Sequence, residues 1–396
     1  MSDNTATSSV RISAARRAVS LMFLINGALF ATWVSRIPQV QTRLSLSEGQ
    51  MGLVLLGVSA GVLTALSFVG GWVARFGSRR VTTVGGILMM LLLPTLAVLP
   101  DPGVLWINLF LFGAATSTMD VAMNAQAVRV EQLAQRRLMS SFHAMYSVGG
   151  ILGAGLGAIL ASQNIAPLTH FLVVAGSFLL VIVIEARDLV YAPPNRSAGK
   201  PEPTFRLPSR ALIPLGLVAF AGATTEGTAA DWSGIYLTNV VGTSEDIAAL
   251  GFAIFSAMMT AGRLLGDWVT ERFSPPHIVR LGGMISAAGL LIIVLIPQTI
   301  PVLLGFGAIG LGASVIVPLA FSAAGNMPDI SESAAIAGVA TIGYAGFLAG
   351  PPILGVIAEA TSLRVSFLLI IALNITLLFT ASSLRRQKKA ALASAD

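Results

Sequence analysis

Three carboxyl side chains stand inside long apolar stretches of this 396-residue chain: Asp120 in TSTMDVAMNAQ, and Glu226 and Asp231 in TTEGTAADW. Acids are costly in hydrocarbon, so each must face a cavity or a partner, and such residues mark ion and ligand pathways. A carboxyl group among apolar neighbours favours its neutral form and can exchange a proton near neutral pH. That chemistry couples the movement of a solute to a proton gradient. Glu226, with Thr225 and Gly227 leaving space beside it, and Asp120 are the candidates for this role.

Asp120 and Asn124 are one turn apart and share a helix face. Folding that segment back on SSFHAMYSVGG sets Asn124 level with His143 and Asp120 level with Ser147. His143 reads either as a packed, hydrogen-bonded ring or as a proton relay. Asp231 reads as a ligand-binding acid, or as a carboxylate hydrated among headgroups or paired with Arg36. Asn26, Trp33, Asn124, His143, Tyr146, Asp231, Trp232 and Tyr344 together suit the lining of a site for a polyhydroxylated solute, with rings to stack and amides to hydrogen-bond. The alternative for each Trp is an interfacial anchor, which is preferred for Trp72 and Trp268. Arg263 and Asp267, also one turn apart, form an i,i+4 ion pair or a charge latch that holds one conformation. Arg75, Arg79 and Arg80 occupy the same place in the first half of the chain.

Other chemistries are disfavoured. There is no Cys, and the three His are scattered, so a metal cage is not expected. Gly199-Lys200 is followed by Pro201, which rules out a phosphate-binding P-loop there. TIGYA at Thr341 occurs once, whereas a potassium filter needs four copies. No cofactor and no enzymatic activity are expected.

The elements that position these residues follow from hydropathy. The chain is 55% hydrophobic and only 11% charged, with a mean hydropathy of +0.82. Soluble domains carry about 25% charged residues. Apolar runs at 18–42, 48–74, 81–99, 103–128, 139–163, 167–189, 211–240, 245–270, 277–298, 301–325, 333–358 and 363–384 each suffice for a hydrocarbon core of about 30 Å at about 1.5 Å per residue. They predict an all-α integral membrane protein with twelve transmembrane helices. The run after Arg16 and Arg17 exceeds a signal-peptide core and reads as an uncleaved first span.

The net charge of +6 is a matter of topology, not of nucleic-acid binding. Most Lys and Arg fall on one side of the predicted spans, leaving only Arg36, Arg43 and Arg364 on the other. Both termini are therefore expected in the cytoplasm.

A Pro-rich, charged stretch near Tyr191–Arg210 divides the chain in the middle and reads as a linker. Around it the sequence repeats. The Ser47-Glu48 and Ser244-Glu245 pairs are 197 positions apart, Trp72 and Trp268 196, Trp33 and Trp232 199, and Tyr146 and Tyr344 198. Four offsets near half the chain, in one order, indicate two six-helix repeats in parallel topology, with a ligand site near mid-membrane. The expected organisation is a tail at 1–17, a bundle at 18–189, a linker at 190–210, a second bundle at 211–384 and a tail at 385–396. The Gly-rich runs GGILGAGLGAIL and GFLAGPPILG correspond in the two halves and suit close packing and bending.

These residues carry a resemblance to a known family. GGWVARFGSRR resembles the signature loop of the major facilitator superfamily, with Ala74 where the signature has an acid and Ser78 where it has a base. GRLLGDWVTERF keeps both Arg263 and Asp267. ATWVSRIP, MDVAMNAQAVRVE, SFHAMYSVGG, EGTAADW, GLGASVIVPLAFSAA and GFLAGPPILG are similar to bacterial inner-membrane carriers of the YbjJ type, distant relatives of fucose permease. The resemblance implies the major facilitator fold, two pseudo-symmetric six-helix bundles, and alternating access. Fucose permease, a proton–sugar symporter, has acids in spans one and four. Here span four supplies Asp120 and span one only Asn26, which moves the coupling role toward Glu226.

The sequence thus points to a secondary transporter of a small polar, sugar-like solute, coupled to protons. It is expected to be monomeric, to sit in the inner membrane among lipid and to bind no nucleic acid. Arg75, Arg79, Arg263 and Asp267 are the expected gating residues. The alternatives are a proton-antiport exporter of amphiphilic compounds and a non-transporting membrane receptor.

Overall fold

A computed structural model describes residues 2–136, 138–191, 209–327, 330 and 332–385, without the side chains of residues 2–11, 140, 267, 332, 333 and 385. Most of the expected linker and nearly all of the C-terminal tail lie outside the described residues. The helices in chain order are α1 (Ser2–Val34), α2 (Ile37–Leu44), α3 (Glu48–Phe76), α4 (Ser78–Thr95), α5 (Pro102–Ala134), α6 (Met139–Ser162), α7 (Pro167–Glu185), α8 (Ile213–Tyr236), α9 (Glu245–Arg272), α10 (Pro275–Leu295), α11 (Thr299–Ala313), α12 (Ile316–Gly325), α13 (Glu332–Ala360) and α14 (Leu363–Thr380). No strand occurs among the described residues.

Among the described residues, eleven helical segments are long and apolar enough to cross a membrane, with α1–α2 and α11–α12 each acting as one. The segment in third place, α4, is not among them. It begins at Ser78 rather than 81 and so takes in Arg79 and Arg80. Gly77, at φ +82°, ends α3 and allows α4 to start in the next residue. Large apolar side chains such as Leu180, Ile300 and Phe379 are 64, 70 and 74% exposed. In a bilayer these side chains face lipid, which satisfies them as a protein core would.

Two predicted spans are broken, and proline explains both. Pro38 has no N–H to offer the carbonyl of Val34, and α1 gives way to α2 through a tight turn in which Arg36 N–H donates to Trp33 O at 3.0 Å. Pro318 likewise leaves the carbonyl of Ser314 free at the break between α11 and α12. The start of α5 is capped. The Asp101 carboxylate accepts from the N–H groups of Gly103 and Val104 at 2.9 and 3.0 Å, with Pro102 in the first helical position.

The chain forms two compact units, Met1–Leu44 with Gly57–Pro201, and Ser45–Leu56 with Glu202–Asp396. The first turns of α3 group with the second unit. In the first unit α1 lies directly on α6. A Cβ on Gly27 would collide with the carbonyl of Tyr146, and one on Gly149 with the carbonyl of Leu24. In the second unit α8 is held among α10, α12, α13 and α14 by Leu215, Val218, Ala219, Val279, Ile316, Val339 and Leu377. The start of α3 presses on α13 there, with the Cβ position of Gly355 2.6 Å from Glu48 O and 3.0 Å from the Gly52 Cα.

Candidate functional site

The second unit brings two of the expected residues together. Glu226, midway along α8, meets Arg263 of α9, with Nη2 3.5 Å from Oε1. The side chains are 19 and 40% exposed, so the pair is partly shielded and opens onto space. Arg263 also directs its Nε at the carbonyl of Ser314, 3.5 Å away, which is the acceptor that Pro318 leaves without a helical donor. The expected partner of Arg263 was Asp267. Arg263 reaches Glu226, and the side chain of Asp267 lies outside those described.

Behind Glu226, the Thr225 hydroxyl donates to Ala221 O at 2.7 Å and accepts from Asn374 Nδ2 of α14 at 2.9 Å. Asn374 is fully buried and also donates to Ile370 O at 2.9 Å. This bridge ties α14 to α8 at the residue next to Glu226. Sequence reasoning missed it. The available signal was a lone amide in LLIIALNITLLF.

Asp231 lies five residues beyond Glu226, about 7.5 Å along the helix. It is half-buried, and no hydrogen bond or ion pair reaches it among the described residues. The neighbouring Trp232 is fully buried, and its indole N–H finds no acceptor among the described residues. It is therefore neither a ligand-stacking ring nor an interfacial anchor in this conformation.

In the first unit, Asn124 of α5 donates from Nδ2 to Asp120 O at 2.9 Å and faces Asp120 Oδ1 at 3.3 Å. The shared helix face is as the spacing required, and both residues are half-buried. His143 of α6 is exposed and packs edge-on against Phe23, with centroids 5.1 Å apart. Tyr146 and, in the second unit, Tyr344 are half-buried. Trp33 and Asn26 are fully buried, and Asn26 donates weakly to Thr116 O at 3.4 Å, tying α1 to α5. Neither has a face open to a ligand, so both serve packing in this conformation.

Arg36, offered as a partner for Asp231, has its own cluster. Fully buried, it donates from Nε to His170 Nδ1 of α7 at 3.1 Å and from Nη1 to Gln39 Oε1 at 2.7 Å. This contact requires the His170 Nδ1 to carry no proton. Midway along α1, Arg17 pairs with Glu185 and Asp188 at 3.1 and 2.8 Å. Arg75 and Arg79, expected to gate, have no ion pair among the described residues, and the Arg75 guanidinium lies 5.2 Å from the Phe76 ring centre. No cluster of metal-ligating side chains occurs among the described residues.

Comparison with known proteins identifies what this scaffold is. The family model described as Major Facilitator Superfamily matches residues 19–324 and 215–395. An uncharacterised MFS-type transporter of Yersinia pestis is 35% identical, over 92% of this chain and 94% of its own length. An uncharacterised transporter of Sinorhizobium fredii is 37% identical, over 89 and 94%. In structure, a mutant of the nucleoside transporter NupG superposes with a TM-score of 0.77, over 93% of this chain and 99% of its own, at 10% identity, a likeness of fold alone. With its helices, its intramembrane charges and these relatives together, the chain belongs to the major facilitator superfamily and is a multi-pass membrane transport protein rather than an enzyme.

Proposed function

We propose that this transporter carries a small polar, sugar-like solute by alternating access, and that protonation of Glu226 couples the movement to the proton gradient. The observation that supports this reading is the Glu226–Arg263 pair, set within membrane-spanning helices at 3.5 Å. A proton on Glu226 removes the negative charge that holds the guanidinium. Among the described residues Arg263 then keeps the Ser314 carbonyl alone, and α9 is free to move relative to α8. Loss of the proton restores the pair. The switch is local and electrostatic, as coupling requires. Asp120 with Asn124, and Asp231, offer acceptors and donors for solute hydroxyls. Tyr146 and Tyr344 add aromatic faces. The reading also takes the carrier to be monomeric and to sit in the inner membrane with both termini in the cytoplasm, as the resemblance of its motifs to YbjJ-type carriers implies.

Purified protein reconstituted into liposomes with a trapped pH-sensitive dye tests it. A panel of sugars, polyols, sugar acids and nucleosides is added outside, followed by amphiphilic drugs. A polar solute that evokes a proton flux in the wild type, and none in Glu226→Gln, is the expected result. Proton flux evoked only by amphiphiles would replace the reading with an exporter. Specific binding without flux would point to a receptor.

A further inference from the structure

We propose that the first unit holds an anionic phospholipid in a slot between α3, α4 and α5, with the lipid phosphate on Arg80. Three apolar stripes at helical spacing converge there: Trp72 and Phe76 of α3; Val81, Val84, Leu88 and Leu92 of α4; Leu111, Ala114, Ala115 and Thr118 of α5. The small Ala114 and Ala115 give the slot its depth, and its volume is about 560 Å³. From Arg80 to Leu92 is twelve residues, about 18 Å of helix. One leaflet of a bilayer core is about 15 Å deep, half of about 30 Å. The slot thus matches one acyl chain in one leaflet. Five of its side chains, Trp72, Phe76, Val84, Leu88 and Leu111, are 40 to 53% exposed, so it opens sideways to where lipid lies.

Charge decides which lipid. Among the described residues the only cation in the lining is Arg80, at the end of the slot where a headgroup would sit. Arg75 and Arg79 stand beside it in sequence, and no Asp or Glu occurs from Gly49 to Pro100. Among the described residues none of the three arginines has a carboxylate partner. The corresponding segment of the second half balances Arg263 and Arg272 with Asp267 and Glu271. The positive excess therefore belongs to the first half alone, next to the slot. A phosphodiester with a net negative charge complements it, whereas a zwitterionic headgroup brings its own cation. Trp72, an amphipathic ring beside the charged end, suits the headgroup level. This site is independent of the solute and of Glu226.

The test uses delipidated full-length protein in detergent, titrated with phosphatidylglycerol or with phosphatidylcholine of the same acyl chains. The thermal midpoint and the native mass are followed. Phosphatidylglycerol should raise the midpoint and leave one retained lipid in the mass spectrum, and phosphatidylcholine should do so much less. Arg80→Gln should weaken the apparent affinity about fivefold, the effect of one arginine near an anionic lipid surface. Val84→Trp, a change at an exposed position that fills the slot, should remove the retained lipid. Equal effects of the two lipids, or an unchanged affinity in Arg80→Gln, would overturn the headgroup assignment. Full stabilisation by glycerol phosphate alone, or a lipid retained in Val84→Trp, would overturn the slot.

Discussion

The guanidinium of Arg263 bridges two membrane-spanning segments besides its own, reaching the Glu226 carboxylate at 3.5 Å with Nη2 and the carbonyl of Ser314 at 3.5 Å with Nε. The carbonyl is available because Pro318 cannot donate to it. A helix break and an intramembrane acid thus share a single cation, and each partner can be removed separately.

Glu226→Gln removes the charge and keeps the shape. Uphill accumulation driven by a pH gradient should be lost, while exchange of solute across liposomes with equal pH on both sides should persist. Accumulation and exchange are measured in parallel with labelled solute. Gradient-driven accumulation at the wild-type level would exclude Glu226 as the coupling group.

Asn374 gives a test of packing against polarity. Its Oδ1 is buried with no donor among the described residues, so the side chain gains little from its burial. Asn374→Leu, nearly isosteric, should change stability by less than about 1 kcal/mol, in line with the small net worth of hydrogen bonds between membrane helices. Asn374→Ala leaves a cavity and should cost about 2 kcal/mol. Denaturation of the two variants in the same detergent decides the order.

The Arg36–His170 contact should resist change more strongly. Arg36 is fully buried and donates its Nε to the ring. His170→Leu leaves that N–H facing an apolar group, at a cost of about 2 to 3 kcal/mol for a hydrogen bond to a charged group. His170→Gln, which can offer an amide oxygen, should recover part of it. Thermal midpoints measure both, and equal loss in the two variants would show that ring volume rather than the acceptor matters.

Glycines on α6 should divide sharply. A Cβ at Gly149 meets the Leu24 carbonyl of α1, whereas one at Gly155 finds nothing within 4 Å. Gly149→Leu should prevent recovery of monodisperse protein, and Gly155→Leu should leave the yield unchanged, as read by size-exclusion chromatography.

Hydropathy alone located the membrane segments to within a few residues, because about twenty consecutive apolar residues are needed to cross a bilayer and nothing else in a chain looks the same. The repeat between the halves, and the acids at 120, 226 and 231, were equally legible: each is a property of order along the chain. Partners were not. The contact of Arg263 with Glu226, on a different helix, left no mark in the sequence. Trp33 and Trp232 were assigned to a cavity or an interface and were found in the core. His170 and Ser314 gave no sign of their roles, and Asn374 only that of a lone amide in an apolar run. The cause is physical. A soluble helix shows its inner face by contrast with water, but a membrane helix is apolar on the lipid side as well as on the protein side. Rotation about the helix axis then leaves no mark on composition. Only the packing of one helix on another, set by close contacts such as Gly149 on Leu24 and by the breaks at Pro38 and Pro318, decided which polar group faces which.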